Sequence, residues 1–312
     1  MLQITLRQCR TPGAVGADRA FHDERVSRIA GVSGTARDRS WGSVQVAWAV
    51  PTEGLEVEAD WRDFYLVKDE LRLWTDADVD AAEASIEGRL PDGYRELMTT
   101  LGDGTFCDDL RVFAPTELAS QQAFLRAVVE KAWFFNDPDE ELTPAYALAS
   151  TAFAESLQVD QVIFHPETGR IHVLPRDEDR TYLVGRDLVG VVAWWLDSGV
   201  MSRPRPFRFF ESLLGPTGAV NGEGKRTNIS RIGEGIRSLD VHDVEVTEED
   251  EDDRTFFVRA IGGFLSVHAT GPTDVYVHLR YQTDHSAEVR ARLQETAVDA
   301  GVTFSEPWLM VP

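Results

Sequence analysis

The chain has 312 residues, of which 43% are hydrophobic and 10% aromatic, so it can build true cores and is not a disordered polymer. Its formal net charge of −22 argues against a nucleic-acid partner, because a polyanion would be repelled. No run of about 18 apolar residues is present, so we expect no transmembrane helix and no membrane partner.

The N-terminus and the cysteines predict a cytoplasmic protein. Met1 to Arg10 lack the apolar stretch of a signal peptide. Cys9 and Cys107 lie in no CxxC or Cys/His cluster, so we expect free thiols and neither a structural zinc nor a bound cofactor.

The acidity has two interpretations, and both stay open here. It favours basic protein partners through electrostatic steering. Yet Lys68, Lys131 and Lys225 are the only lysines beside many arginines. This indicates a coding bias, and a generally acidic composition would give the same charge for solubility alone.

Residues 1–74 are predicted to be an N-terminal β extension and loop. Residues 10–42 are rich in Gly, Arg, Asp and Ser and show little periodicity. Three strand-like runs follow, SVQVAWAV at 43–50, DFYLV at 63–67 and ELRLW at 70–74.

Two helices are predicted next. The first is capped by Thr75 and ends at Leu90-Pro91. The second ends at Gly102, and its apolar stripe at i, i+3, i+4 and i+7 consists of Tyr94, Leu97, Met98 and Leu101. A short strand at 110–113, a helix from about Glu117 to Phe135 and an acidic loop at 136–141 come after them.

A β-hairpin is predicted around the turn Pro166 to Gly169. Pairing His165 with Arg170 sets Phe164 opposite Ile171 and Val162 opposite Val173. A strand at 181–184 and a helix that ends at Gly199 follow, the helix with apolar positions at Leu188, Val191, Val192 and Trp195.

Residues 201–229 are rich in Gly and Pro, and we interpret 216–229 as a linker. Beyond it, 230–312 predicts a smaller C-terminal domain of antiparallel sheet and helix. A Gly262-Gly263 turn would set Ile261 against Phe264 and Val258 against Val267. A strand with Val275, Val277, Leu279 and Tyr281 on one side, a helix from Ser286 to Ala300 and a last strand, VTFSEPWLMV at 302–311, complete this unit.

The segment from about Thr75 to Val200 resembles the SUKH superfamily, the Smi/Knr-type domain. The residues that carry the resemblance are Glu87-x-x-Leu90-Pro91-x-x-Tyr94, Leu97, Leu101 to Gly104, Val162 to Pro166, Gly169-x-Ile171-His172 and the helix Arg186 to Leu196. Where the family usually has Asn-Gly-Gly, this chain has Gly102-Asp103-Gly104. The resemblance implies a mixed α/β binding domain without catalytic residues, whose bacterial members are immunity proteins that neutralise toxins, often nucleases, and whose fungal relatives are signalling regulators.

The histidines are the first candidates for a metal-binding or acid–base site. His165 and His172 are predicted as diagonal neighbours on a polar, solvent-facing side of the hairpin, with no carboxylate forced onto that face. His22-Asp23-Glu24 lies in a predicted loop, and His268 and His278 face away from the C-terminal apolar side. No nucleophile motif or phosphate loop is present, so we predict no catalytic residues and no metal ligands.

Three acidic runs remain as partner-binding candidates, with solvated loops as the simpler interpretation. Aromatic residues beside them, Trp133 above all, are candidates to anchor such an interface. The candidate residues are Asp137, Asp139, Glu140, Glu141, Asp177, Glu178, Asp179, Glu248, Glu249, Asp250, Glu251, Asp252, Asp253 and Trp133.

The sequence therefore predicts an α+β protein with a SUKH-like domain at 75–215, preceded by the β extension and followed by the C-terminal domain. We expect an immunity-type protein that binds and blocks a basic toxin, possibly a nuclease. A non-catalytic regulator or scaffold with several partners is the alternative, and an unrecognised enzyme a third. The sequence does not indicate the oligomeric state.

Overall fold

The computed structural model describes residues 60–132, 142–178, 180–205, 207–247 and 252–310. Within these ranges the chain forms seven α-helices and two β-sheets, which confirms the α+β class and the two sheet-containing parts. All of them belong to one unit of mutual contacts, Glu53–Pro312.

Five of the seven helices lie close to where the sequence predicts a helix, and those at Pro144–Leu148 and Ile229–Ser238 were not predicted. They are α1 (Asp76–Ile86), α2 (Tyr94–Thr100), α3 (Leu118–Ala132), α4 (Pro144–Leu148), α5 (Leu188–Asp197), α6 (Ile229–Ser238) and α7 (Ala287–Asp299). Thr75 caps α1 as predicted, since its hydroxyl accepts from the Asp78 N–H at 3.2 Å and the Asp78 carboxylate accepts from the Thr75 N–H at 2.8 Å.

The first sheet has eight strands in the order β1-β8-β2-β3-β4-β5-β6-β7. Their bounds are β1 (Tyr65–Leu66), β2 (Gly104–Phe106), β3 (Leu110–Val112), β4 (Thr151–Ser156), β5 (Gln161–His165), β6 (Arg170–Leu174), β7 (Tyr182–Gly185) and β8 (Phe209–Ser212). Strand β1 runs parallel to β8, and the other pairs are antiparallel. The predicted β5–β6 register is confirmed, with His165 paired to Arg170 and Phe164 to Ile171.

The predicted strands before Thr75 are largely wrong where the structure describes them. Residues Trp61–Asp63 form a 3-10 helix, only Tyr65–Leu66 of the DFYLV run is a strand, and ELRLW contains none. At the end of ELRLW, the backbone binds a helix instead of a neighbouring strand, because the Trp74 N–H donates to the Met98 carbonyl of α2 at 3.0 Å. The run at 43–50 lies outside the described residues.

The second sheet has seven strands. They are β9 (Thr217–Lys225), β10 (Val244–Thr247), β11 (Arg254–Val258), β12 (Gly263–Ala269), β13 (Asp274–Gln282), β14 (Thr303–Phe304) and β15 (Trp308–Met310). The order is β10-β11-β12-β13-β9-β14, and β15 also pairs with β9. Helices α6 and α7 cover one face, where Ile232, Ile236, Leu293 and Ala297 pack on the buried row Val275, Val277, Leu279 and Tyr281. This row was predicted to share one side of its strand.

The predicted linker at 216–229 is wrong, because most of it is β9, the strand that pairs with β13, β14 and β15. Its glycines are not turn residues. A Cβ on Gly218 would lie 2.5 Å from the Tyr281 ring, and one on Gly222 would lie 2.6 Å from Val302. Glycine is therefore required by close packing inside a strand, which a sequence scan reads as a loop.

The predicted register of the Gly262-Gly263 hairpin is also wrong. Phe257 pairs with Phe264, and Val258 pairs with Gly263. The shift arises because Arg259–Ile261 form a 3-10 turn, which lengthens the connection beyond two residues. Helix α6 was not predicted either, although Ile229, Ile232 and Ile236 have helical spacing and are all buried.

Candidate functional site

The second acidic run lies in the connection between β6 and β7. Asp177 and Glu178 are exposed there. The Tyr182 hydroxyl donates to the Glu178 carboxylate at 2.7 Å, and the Arg180 guanidinium lies 5.5 Å from the Tyr182 ring centre. Burial and the Glu178 carboxylate raise the pKa of Tyr182 to about 12, so its hydroxyl stays a donor. The Tyr182 hydroxyl therefore orients the Glu178 carboxylate at the surface, next to the exposed Asp177.

The third acidic run ends in internal contacts. Asp252 is paired with Arg226, and Asp253 accepts from the Ala269 N–H at 3.0 Å. The Asp253 carboxylate also lies 3.6 Å from Nδ1 of His268. Burial alone would raise the pKa of Asp253, but His268 and the Ala269 N–H outweigh it and the pKa is lowered. Both carboxylates are thus engaged by groups of the same chain, so they are less available to bind a partner.

The remaining candidates lie outside the described residues. This holds for the whole first run with Trp133, and for Asp179 and Glu248 to Glu251. Their role in partner binding stays a prediction.

Helix α1 presents an acidic face that the sequence interpretation missed. Arg95 of α2 lies 3.2 Å from Asp76, 2.6 Å from Asp80 and 3.5 Å from Glu83, so one guanidinium faces three carboxylates. The signal was present, since these acids recur at i, i+4 and i+7 in a helix without a basic residue. The excess negative charge faces solvent, because Asp76 and Asp80 are exposed.

The prediction of a solvent-facing histidine pair is wrong. His165 is 7% exposed and His172 is 3% exposed, because Tyr146 of α4 covers both. The Tyr146 and His165 ring centroids lie 4.0 Å apart, and the Tyr146 hydroxyl lies 3.4 Å from Nε2 of His172 and 2.9 Å from the Thr168 hydroxyl. The short helix α4 supplies this cover, and the hairpin pattern alone does not reveal it.

His268 and His278 face away from the helix-covered side of the second sheet, as predicted. His278 is 1% exposed, and burial, aided by Arg280, lowers its pKa to about 3, so it is neutral. Its Nδ1 lies 2.7 Å from the side-chain oxygen of Asn221. His22 lies outside the described residues. Within the ranges that the structure describes, no group of three or more His, Cys, Asp or Glu side chains is arranged to hold a metal ion.

A depression of about 350 Å³ lies beside β1. Its lining is mainly aromatic and aliphatic, with Arg62, Asp69 and Arg259 as the charged members. Neither His165 nor His172 lines it, so it does not unite those histidines with a carboxylate.

Four buried charged residues meet between the two sheets. Arg280 of β13 enters the first sheet, where its Nη1 donates to Asp108 at 2.7 Å and its Nε lies 3.1 Å from Glu211. Lys68 lies 3.4 Å from the same Glu211 and donates to the Ser212 carbonyl at 2.9 Å. Desolvation lowers the pKa of Lys68 although Glu211 opposes this. We call these four residues, Lys68, Asp108, Glu211 and Arg280, the buried junction.

Aromatic side chains of the two sheets also meet one another. Phe257 of the second sheet lies 4.8 Å from Phe209 and 5.3 Å from Tyr65, measured between ring centroids. The two sheets are therefore joined by an apolar contact as well as by the buried junction. No spacing pattern in the sequence predicts the buried junction, because its members come from four distant positions.

No protein-family model matches the chain, and no curated protein matches it. Among the described residues no helix is long and apolar enough to cross a membrane.

Proposed function

We propose that this protein is an immunity-type binding protein of the cytoplasm, which neutralises a basic toxin by covering its cationic surface. The observation that carries the proposal is the presence of exposed acidic groups, on α1 and in the β6–β7 connection, in a chain of net charge −22. Opposite charges steer two proteins together and align them on contact.

The residues that resemble the SUKH superfamily support the proposal through their structural role. Leu90, Tyr94, Leu97 and Leu101 are all buried, and the Tyr94 hydroxyl donates to the Phe113 carbonyl at 2.7 Å. These side chains build the core rather than a reaction centre. Because the motif residues are buried in the core, any recognition must involve other residues on the surface, which agrees with a binding function.

Charged side chains at the rim of an interface act mainly on association rate and salt dependence. The Asp177 and Glu178 pair suits this role, because both are exposed and the Tyr182 hydroxyl orients one of them. The acidic face of α1 is less available, since Arg95 already neutralises part of it.

The first experiment is affinity capture of the tagged full chain from its native lysate, at low and then moderate salt. The proposal expects one basic, toxin-like protein in equal amount, which is released as salt rises. Several substoichiometric partners would instead favour the alternative, a non-catalytic regulator or scaffold.

A matched pair of charge reversals then tests the surface with the captured partner. We expect D177K/E178K to weaken binding roughly 5- to 30-fold, chiefly through slower association, as for charged pairs worth about 1–2 kcal/mol. The control E288K/E295K changes the net charge equally on the exposed side of α7. Equal loss in both variants would show a nonspecific charge effect, and no loss in D177K/E178K would remove this connection from the interface.

A further inference from the structure

The buried junction places two carboxylates on one guanidinium. The side chains of Asp108, Glu211 and Arg280 are only 3%, 1% and 9% exposed. One oxygen of Asp108 is held by Arg280, whereas its other oxygen, Oδ2, is buried without a hydrogen-bond partner. A buried, ionised carboxylate oxygen without a donor has lost its hydrogen bonds to water and gained none from the protein, which disfavours the charged form.

The backbone holds Asp108 in this position. Cys107 and Asp108, in the turn between β2 and β3, have φ angles of 49° and 54°, so two successive non-glycine residues adopt the left-handed conformation. The Cys107 N–H donates to the Phe209 carbonyl of β8 at 2.9 Å, and the Asp109 N–H donates to Phe106 at 3.0 Å. Strained residues of this kind persist only where the surrounding structure over-determines them.

We propose that Asp108 and Glu211 form a proton-binding carboxyl pair, which takes up one proton from mildly acidic solvent and thereby strengthens the contact between the two sheets. The proton binds at Oδ2 of Asp108, the oxygen that Arg280 does not hold. Glu211 lies between two cations, with Lys68 3.4 Å and Arg280 3.1 Å away, whereas Asp108 is paired with Arg280.

The charges around Asp108 fix the direction of the effect. Burial raises the pKa of Asp108 to about 6, Arg280 opposes this, and Glu211 adds to it. A folded-state pKa above the unfolded value means that the stabilisation is present at low pH and is lost as the pH rises through about 6. The charged or titratable groups around the pair are Arg280 on β13, Glu211 on β8, Lys68 after β1, Arg205 before β8, Asp109 and Cys107 in the same turn, and Asp284, which acts on Lys68.

The test is a carboxyl-carbon NMR titration of the full chain, together with melting temperatures at pH 5 and 7.5. One aspartate signal should titrate about two pH units above an ordinary aspartate and should be missing in D108N. The melting temperature of the wild type relative to D108N should be about 2–4 °C higher at pH 5 than at pH 7.5. Comparing the two proteins cancels the contributions of all titratable groups that they share.

Two further variants keep the test decisive. D177N alters an exposed carboxylate and should reproduce the wild-type profile. R280Q removes the cation that lowers the pKa of Asp108, so the titration midpoint should move upward by at least one pH unit, which a purely structural aspartate would not show. Parallel pH profiles of wild type and D108N, or an Asp108 midpoint near 4, would overturn the proposal.

Discussion

At the scale of single residues, Tyr94 and Tyr182 each donate a hydrogen bond from the phenolic hydroxyl, one in the core and the other at the surface. The Tyr94 side chain is fully buried and its hydroxyl donates to the Phe113 carbonyl, whereas the Tyr182 hydroxyl donates to the exposed Glu178 carboxylate. A buried carbonyl that loses its donor cannot recruit water, while an exposed carboxylate can. The two tyrosines therefore provide a matched pair.

We expect Y94F to lower the free energy of unfolding by about 1 kcal/mol. Y182F removes the same atom at the surface and should change it by less than about 0.5 kcal/mol. Urea denaturation followed by circular dichroism measures both. Equal effects would mean that the Tyr94 bond adds nothing beyond a surface contact.

At the scale of elements, β9 shows how packing overrides local composition. Its glycines lie under Tyr281, Val302 and Phe304, whose side chains occupy the space that a Cβ on the strand would need. Replacement of one such glycine forces an aromatic ring out of place, and overpacking of this type is costly.

We therefore expect G218A to destabilise the protein by roughly 1–3 kcal/mol. The control is G271A, because a Cβ at Gly271 would meet nothing within 4 Å. Thermal unfolding of the two variants separates a steric effect from the general loss of glycine. A G218A protein as stable as G271A would show that the Tyr281 ring moves aside freely.

The elements also show what a sequence can and cannot predict. Helix α1 and its cap, the β5–β6 register and the buried row of β13 followed from periodicity and turn residues, because their causes are local. Strand β9, the register at Gly262 and the cover of Tyr146 over His165 depend on residues distant in sequence. The candidate site divides in the same way, since Glu178 was found as a charge run and the Arg280–Asp108 pair was not.

At the scale of the whole molecule, the second sheet depends on the first. Phe257 and Phe264 are 2% and 0% exposed, and Arg280 finds its carboxylates only on the first sheet. A buried charge that loses its partners is strongly destabilising. The regulator hypothesis, which uses the C-terminal part as a separate module, requires that this part fold alone.

We expect a fragment of residues 216–312 to lack a cooperative unfolding transition in urea. The reason is that it would expose the aromatic contact and leave Arg280 without Asp108 and Glu211. Near-ultraviolet circular dichroism and a urea titration, with the full chain as control, make the measurement. A fragment that unfolds at the same midpoint as the full chain would contradict this and would favour the separate module.

Strand order in the second sheet has a consequence for synthesis of the protein on the ribosome. Strand β9 follows β8 after only Leu213 to Pro216, yet its partners β13, β14 and β15 all come near the end of the chain. While the intervening residues are being translated, β9 has no strand beside it, and an unpartnered edge is open to the wrong neighbour. A truncation before Asp274 would make that state permanent, so late nonsense mutations should yield aggregated rather than merely shortened protein.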